Sequence, residues 1–334
     1  MKSLQAITYR NTKTTLPGFA DPVHEKFPIG LAYETSTHFV HFYGSGSNLY
    51  TVQVGITVTE EKTGSLHDWA VRVFGADDIN NTNNPVGHTV RGVWRPGLYF
   101  FTETLAALDN SESEQRASEQ SLRLLVERLD ELLLYIEPSP RGLEAYSNKT
   151  RELLILACTE FEDSCMHYMP SASASPSRGH AFCTNDYVKL LKPLYLAEFE
   201  IKVKPYSAIA PIRPFGNWNA KAPTQSLSWY DAYNKTKHNR SSYFGEATLA
   251  NCLSAIAANL CLFCVRFSPF PLLEGPGILS SLVNQMFDIR LQEFRPETAY
   301  IPLLELPPGL LGVLQHWDSR NQVQAWTVLP FKPS

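Results

Sequence analysis

The sequence predicts an α+β chain in which a β-rich N-terminal region precedes a helical bundle and a short β-containing C-terminal tail. Three observations carry this. Between Phe39 and Phe74 the chain is rich in β-branched and aromatic residues separated by Gly-Ser and Thr-Gly turns. From Ser111 onward apolar residues recur at helical spacing. In the tail, short apolar runs edged by proline return. The expected divisions are 1–110, 111–283 and 284–334.

Taken in order, residues 1–25 are polar and aperiodic and read as an irregular lead-in. "HFVHFYG", "NLYTVQVGITVTE" and "HDWAVRVFG" read as strand-like, "DDINNTNNPVG" as a loop, and "HTVRGVWRPGLYFF" as strand plus turn. Near residue 111 the pattern changes. Ser and Glu stand in capping positions, and Leu122, Leu125, Val126, Leu129, Leu132, Leu133 and Ile136 then form one helical stripe that "PSPRG" ends. A second helix is expected from about Ser147 to Met169, followed by the low-complexity loop "PSASASPSRGH". The proline-punctuated connection from Pro205 to Trp229 cannot be regular helix, and Trp218 and Trp229 are placed to pin it to the bundle. Helical spacing resumes at Trp229 and runs past Arg266 with a break near Gly245. "FDIRLQEFRP", "AYIPLLEL" and "QVQAWTVLPF" read as short strands.

Composition narrows the function. At 334 residues, 44% hydrophobic and 19% charged, the chain can bury a sizeable core. A net charge of −4 argues against a protein that coats nucleic acid with its whole surface, and leaves room for a local basic site. The N-terminus lacks the apolar stretch of a secretory signal, and "LANCLSAIAANLCLFCV" is too polar for a membrane span, so a buried helix and a cytoplasmic location are expected. The six cysteines read as reduced core thiols, "CLFC" at Cys261–Cys264 included. Cys165, His167, His180 and Cys183 have the residue types of a zinc site but a spacing that matches no familiar finger. "GSG" at Gly44–Gly46 reads as a turn.

The densest chemistry lies in "WYDAYNKTKHNRSSYFGEATL", Trp229–Leu249. On one continuous helix Asn234 and His238 stand about 40° apart, while Tyr233, Lys237, Arg240 and Phe244 share another face and His238 and Arg240 differ by about 200°. A face of Asn and His suits general acid/base work near neutral pH. Lys237 and Arg240 suit phosphate oxygens, and Tyr233 suits stacking on a base. Glu160, one heptad after Leu153 on the second helix, is expected at the core edge, where a carboxylate needs a donor. A structural polar seam is the alternative reading of the same residues.

"LYIEPSPRGLEAYSNKTRELLILACTEFE", "TNDYVKLLKPLYLAEFEIKV", "PFGNWNAKAPTQSLSWYDAYNKTKHNR" and "ATLANCLSAIAANLCLF" resemble an uncharacterised group of bacterial proteins with a HEPN-like helical core, over roughly Leu129 to Phe267. The resemblance implies a four- to five-helix bundle. Many members of that superfamily are metal-independent ribonucleases of toxin–antitoxin and antiphage systems, in which an Arg is followed, with four to six residues between, by a His and two copies meet across a homodimer. His238, Asn234 and Glu160 match the catalytic roles so implied, with Lys237, Arg240 and Tyr233 as RNA or phosphate contacts. Where the motif arginine would stand, this chain has Tyr233, Ala232 or Asp231. The implied partner is RNA or a nucleotide, with no cofactor. A non-catalytic interaction module, its N-terminal region recognising a protein, is the alternative.

Overall fold

The computed structural model describes residues 4–14, 22–45, 49, 52–99, 101–170, 175–177, 179, 181–306, 312–314 and 323–332, with 52–56, 101–102 and 312–314 by backbone only. Gly46 and, in the loop over residues 170–180 expected to be low-complexity, residues 171–174, 178 and 180 lie outside the described residues. The chain is α+β and divides into two units: residues 1–109 with 292–329, and residues 110–291 with 330–334.

In the first unit the chain forms β1 (Ala6–Arg10), α1 (Val23–Lys26), β2 (Ile29–Glu34), β3 (His38–Gly44), β4 (Val52–Glu61), α2 (Leu66–Phe74), β5 (Asp77–Asn81), β6 (His88–Val90) and α3 (Phe101–Ala107). Strands β1 to β4 form an antiparallel meander, and β5 adds to the free edge of β1. The polar lead-in expected over residues 1–25 therefore contains a strand. Five residues are too few for a strong periodic signal, and β1 gains its order from pairing along both edges, with β2 and with β5. Helix α2 starts at Ser65, whose hydroxyl accepts from the Asp68 N–H (3.1 Å), and stops at Gly75, where φ is 60°. The expected strand "HDWAVRVFG" is thus a helix, because Trp69, Ala70 and Phe74 recur at helical spacing and must all reach the sheet.

Period-2 alternation puts Phe39, His41 and Tyr43 on the face of β3 that meets α2, with Trp69 stacked on Phe39 at 5.0 Å. Val40 and Phe42 point the other way, where Tyr33 stacks on Phe42 and its hydroxyl accepts from the Leu304 N–H (3.0 Å). All seven residues of β3 are buried, as in a sheet covered on both faces.

The second unit holds α4 (Glu112–Leu133), α5 (Asn148–Tyr168), α6 (Thr184–Tyr187), β7 (Phe199–Val203), α7 (Ser228–His238), α8 (Arg240–Tyr243), α9 (Leu249–Phe267), α10 (Phe270–Leu273), α11 (Ile278–Met286) and β8 (Phe287–Leu291). Ser111 with Glu114 and Ser147 with Thr150 form capping boxes that set the starts of α4 and α5. Helix α9 is the core helix. Its length and composition would suffice to cross a membrane, but 78% of its most apolar window is buried, and it packs on α4, α5 and α7. Asn259, the polar residue in its middle, gives both amide hydrogens away, to the carbonyls of Ala157 (2.8 Å) and Ala255 (2.9 Å). Cys261 and Cys264 are buried free thiols. Trp218 and Trp229 bring the proline-rich connection onto Phe161 of α5, with centroids 6.1 and 5.0 Å away.

The tail expected over 284–334 is not a unit of its own. β8 pairs with β7 in the second unit, whereas β9 (Gly312–Leu314) extends the meander at β4 and β10 (Thr327–Leu329) pairs in parallel with β6. Short strands cannot bury a face alone, so each joins a strand already present.

Burial makes the fold of the first unit pH-sensitive at His41. The ring is fully buried, stacks on Phe74 at 3.7 Å, shares a hydrogen bond between Nδ1 and the Tyr9 hydroxyl (2.7 Å) and leaves Nε2 unpaired. Burial holds its pKa well below the ordinary value, so the folded imidazole is neutral. Below about pH 6.5 the unfolded ring takes up a proton that the folded ring refuses, so stability present at neutral pH is lost as pH falls. Urea midpoints should drop between about pH 7 and 5, with a slope approaching ~1.4 kcal/mol per pH unit, and His41→Phe should flatten that slope.

Candidate functional site

Helix α7 lays one face against the bundle and leaves its end outside. Trp229, Tyr230, Ala232, Tyr233 and Thr236 are buried, whereas Lys237 and His238 are exposed. The helix stops at His238, because Asn239 takes an extended conformation (φ −142°, ψ 77°) and its side chain then caps α8 by accepting from the Ser242 N–H (3.2 Å). One continuous helix from Asp231 to Arg240 is therefore not what forms. Arg240 belongs to the next helix and does not share the Tyr233–Lys237 face.

Tyr233 and Lys237, one turn apart, keep their predicted neighbourhood. Lys237 Nζ donates to the Tyr233 hydroxyl at 2.8 Å and lies 4.9 Å from its ring centre. That hydrogen bond pushes the ammonium pKa up. Tyr233 is only 1% exposed, so its ring is committed to the bundle and cannot stack on a base as expected. The side chain is aromatic and one turn from Lys237 in either environment; burial alone decides its role.

Glu160 faces elsewhere. It hydrogen-bonds Ser121 of α4 and lies in a small cleft with Asn259 and Arg266 of α9, where burial raises its pKa. The carboxylate that meets α7 is Glu162, which accepts a hydrogen bond of 2.5 Å from Tyr230. Residues 160 and 162 are about 200° apart on α5, and both flank its buried stripe of Leu154, Cys158, Phe161 and Cys165. Helical spacing identifies both edges of that stripe; which edge faces α7 depends on the packing of three helices. The role expected of Glu160, orienting His238, is therefore not available to it. Asn234 is half-buried and His238 exposed on the α7 surface.

The start of α5 and the end of α7 converge. Arg151, one turn into α5, donates through Nε (3.4 Å) and Nη2 (3.2 Å) to the Thr236 carbonyl, one of the last carbonyls of α7. Its cation thereby meets the negative end of the α7 dipole. Arg240 Nη2 donates to Asn148 Oδ1 (2.8 Å) at the first position of α5 and covers the Phe244 ring at 5.1 Å. Lys235 is engaged by Asp231 (2.7 Å). The result is a corner carrying Arg151, Lys237, His238 and Arg240 beside the N-terminus of α5. Arg151 is the residue of this corner that the sequence did not single out. It lies about 80 positions before α7, and its only signal was a cation in the first turn of a capped helix.

Such a corner can hold an anion. Lys237 and Arg240 retain donors toward solvent, and the first N–H groups of α5 add partial positive charge. Among the described residues no three His, Cys, Asp or Glu side chains come together to hold a metal ion.

Two substitutions separate the carboxylates. Tyr230→Phe removes the donor of half-buried Glu162 and should cost about 1–3 kcal/mol in urea unfolding. Glu160→Gln should act in the opposite sense. Because the folded pKa is raised, the carboxyl favours folding below its unfolded value near 4.5, and this is lost as pH rises. The variant should be more stable than wild type at pH 7 and indistinguishable near pH 4. No family model, curated protein or solved structure matches this chain.

Proposed function

We propose that the second unit is a HEPN-like helical module that binds RNA or nucleotide phosphate at the α5–α7 corner, as a binding site and not a nuclease centre. The observation that carries this reading is the convergence of Arg151, Lys237, His238 and Arg240 at the end of α7, tied there by the Arg151–Thr236 and Arg240–Asn148 contacts. The guanidinium missing from α7 itself is supplied by a neighbouring helix. Guanidinium and ammonium groups recognise phosphate through charge-assisted hydrogen bonds, which needs no base-specific pocket. A net negative chain with one basic corner binds such a ligand locally.

Cleavage asks for more. A histidine acting at a 2′-hydroxyl must be oriented, and the carboxylate expected to orient it hydrogen-bonds to α4. His238 ends its helix in solvent, and Tyr233 occupies the place of the motif arginine with its ring in the core. These placements favour binding over turnover.

Fluorescence anisotropy with a single-stranded RNA in EDTA tests this. Wild type should bind with an affinity that falls steeply as salt rises, and Lys237→Glu with Arg240→Glu should weaken binding by at least about tenfold. No binding at low salt defeats the proposal. RNA cleavage that His238→Ala abolishes would replace it with the nuclease reading.

A further inference from the structure

The bundle carries a second surface, on α4 and α5, that includes no residue of α7. Helix α4 buries one stripe and exposes another: Leu124, Arg128 and Glu131 recur at three- and four-residue spacing on its outer side, and Tyr135 follows in the turn just past its end. Tyr135 is 80% exposed and Leu124 45%. On α5 the same side shows Lys149, Glu152 and the 36%-exposed Leu156. Between the two helices runs an apolar groove floored by Leu132 and Leu153. Large apolar side chains gathered along a groove, with charges around them, mark a surface made to be covered.

The charges say by what. Glu131 lies 3.6 Å from Lys149, while Ser121, ten residues earlier on α4, bonds Glu160, eleven residues later on α5. The two helices are therefore antiparallel. Arg128, one turn back from Glu131, is level with Glu152, one turn on from Lys149. The four side chains form a checkerboard, basic and acidic alternating both along and across the groove. A two-fold axis lying in the plane of this patch, parallel or perpendicular to the helices, sets every basic group opposite an acidic one. Self-complementarity of this kind is the requirement of an isologous contact, and a second copy of the same surface meets it.

We propose that this α4–α5 face is a homodimer interface, in which Leu124 and Leu156, at one end of the charged ring formed by Arg128, Glu131, Lys149 and Glu152, and Tyr135, at its other end, are buried against the second copy. Two helices about 30 Å long side by side present on the order of 600 Å². This is below the ~800 Å² per partner of a standard interface, so the dimer should dissociate in the micromolar range. The dimer leaves the α5–α7 corner outside the contact and is independent of any RNA-binding role.

Charge-swapped variants test it. Arg128→Glu with Lys149→Glu makes an acidic face, and Glu131→Lys with Glu152→Lys a basic one. Sedimentation equilibrium up to about 200 µM should show dimer for wild type, monomer for each variant alone, and dimer again in their equimolar mixture. Circular dichroism establishes that both variants remain folded, and Leu156→Arg, which keeps the ring charges, should also be monomeric. A wild type that stays monomeric, a variant that still dimerises alone, or a mixture that fails to dimerise overturns the proposal.

Discussion

The second unit depends on one constraint, the need to cover α9. Its 19 residues are apolar on nearly every side, and each buried Leu, Ile or Phe contributes about 1.5–3 kcal/mol only while neighbours exclude water. Helices α4, α5 and α7 supply that cover. Asn259 makes the arrangement specific. Its amide hydrogens reach carbonyls of both α9 and α5, so sliding one helix past the other would strand a buried donor.

The chemistry at the surface follows from that packing. Once α5 and α7 both lie on α9, the first turn of α5 meets the last turn of α7, and the orphan carbonyl at Thr236 finds Arg151. Asn239 then turns the chain, so that Arg240 folds back over Phe244 toward Asn148 instead of continuing the spiral. Lys237 and His238 remain outside. Cations gather at this corner because a helix C-terminus favours them and a helix N-terminus lies beside it. In the first unit the same logic appears in another form: β3 is covered on both faces, and the cost is an imidazole kept neutral with one nitrogen unpaired.

Much of this was legible beforehand, and the reasons differ by element. Helices α4 and α5 announce themselves through capping boxes and long apolar stripes, and their observed limits lie within a few residues of those expected. Strands β3 and β4 of the meander were readable because β-branched and aromatic residues are dense in them, whereas β1 and β2 were not. Helix α2 was misread as strand, since nine residues rich in Val and Trp satisfy both patterns and only the α2–sheet contact chooses. Strand β7 was not identified, because "FEIKV" needs its partner β8, some 84 residues later, to become a strand.

At the candidate site the sequence by itself determined which residue types are present and which are absent: a basic stretch ahead of an apolar helix, a histidine one turn after an asparagine, and no arginine where the motif would have one. These are local facts of composition and spacing. Only the tertiary structure decided that Glu162 and not Glu160 meets α7, that Tyr233 is buried, and that Arg151 reaches the end of α7. Each of those outcomes depends on how helices pack against one another. A helix has two edges to every buried stripe, and the choice between them belongs to its neighbours.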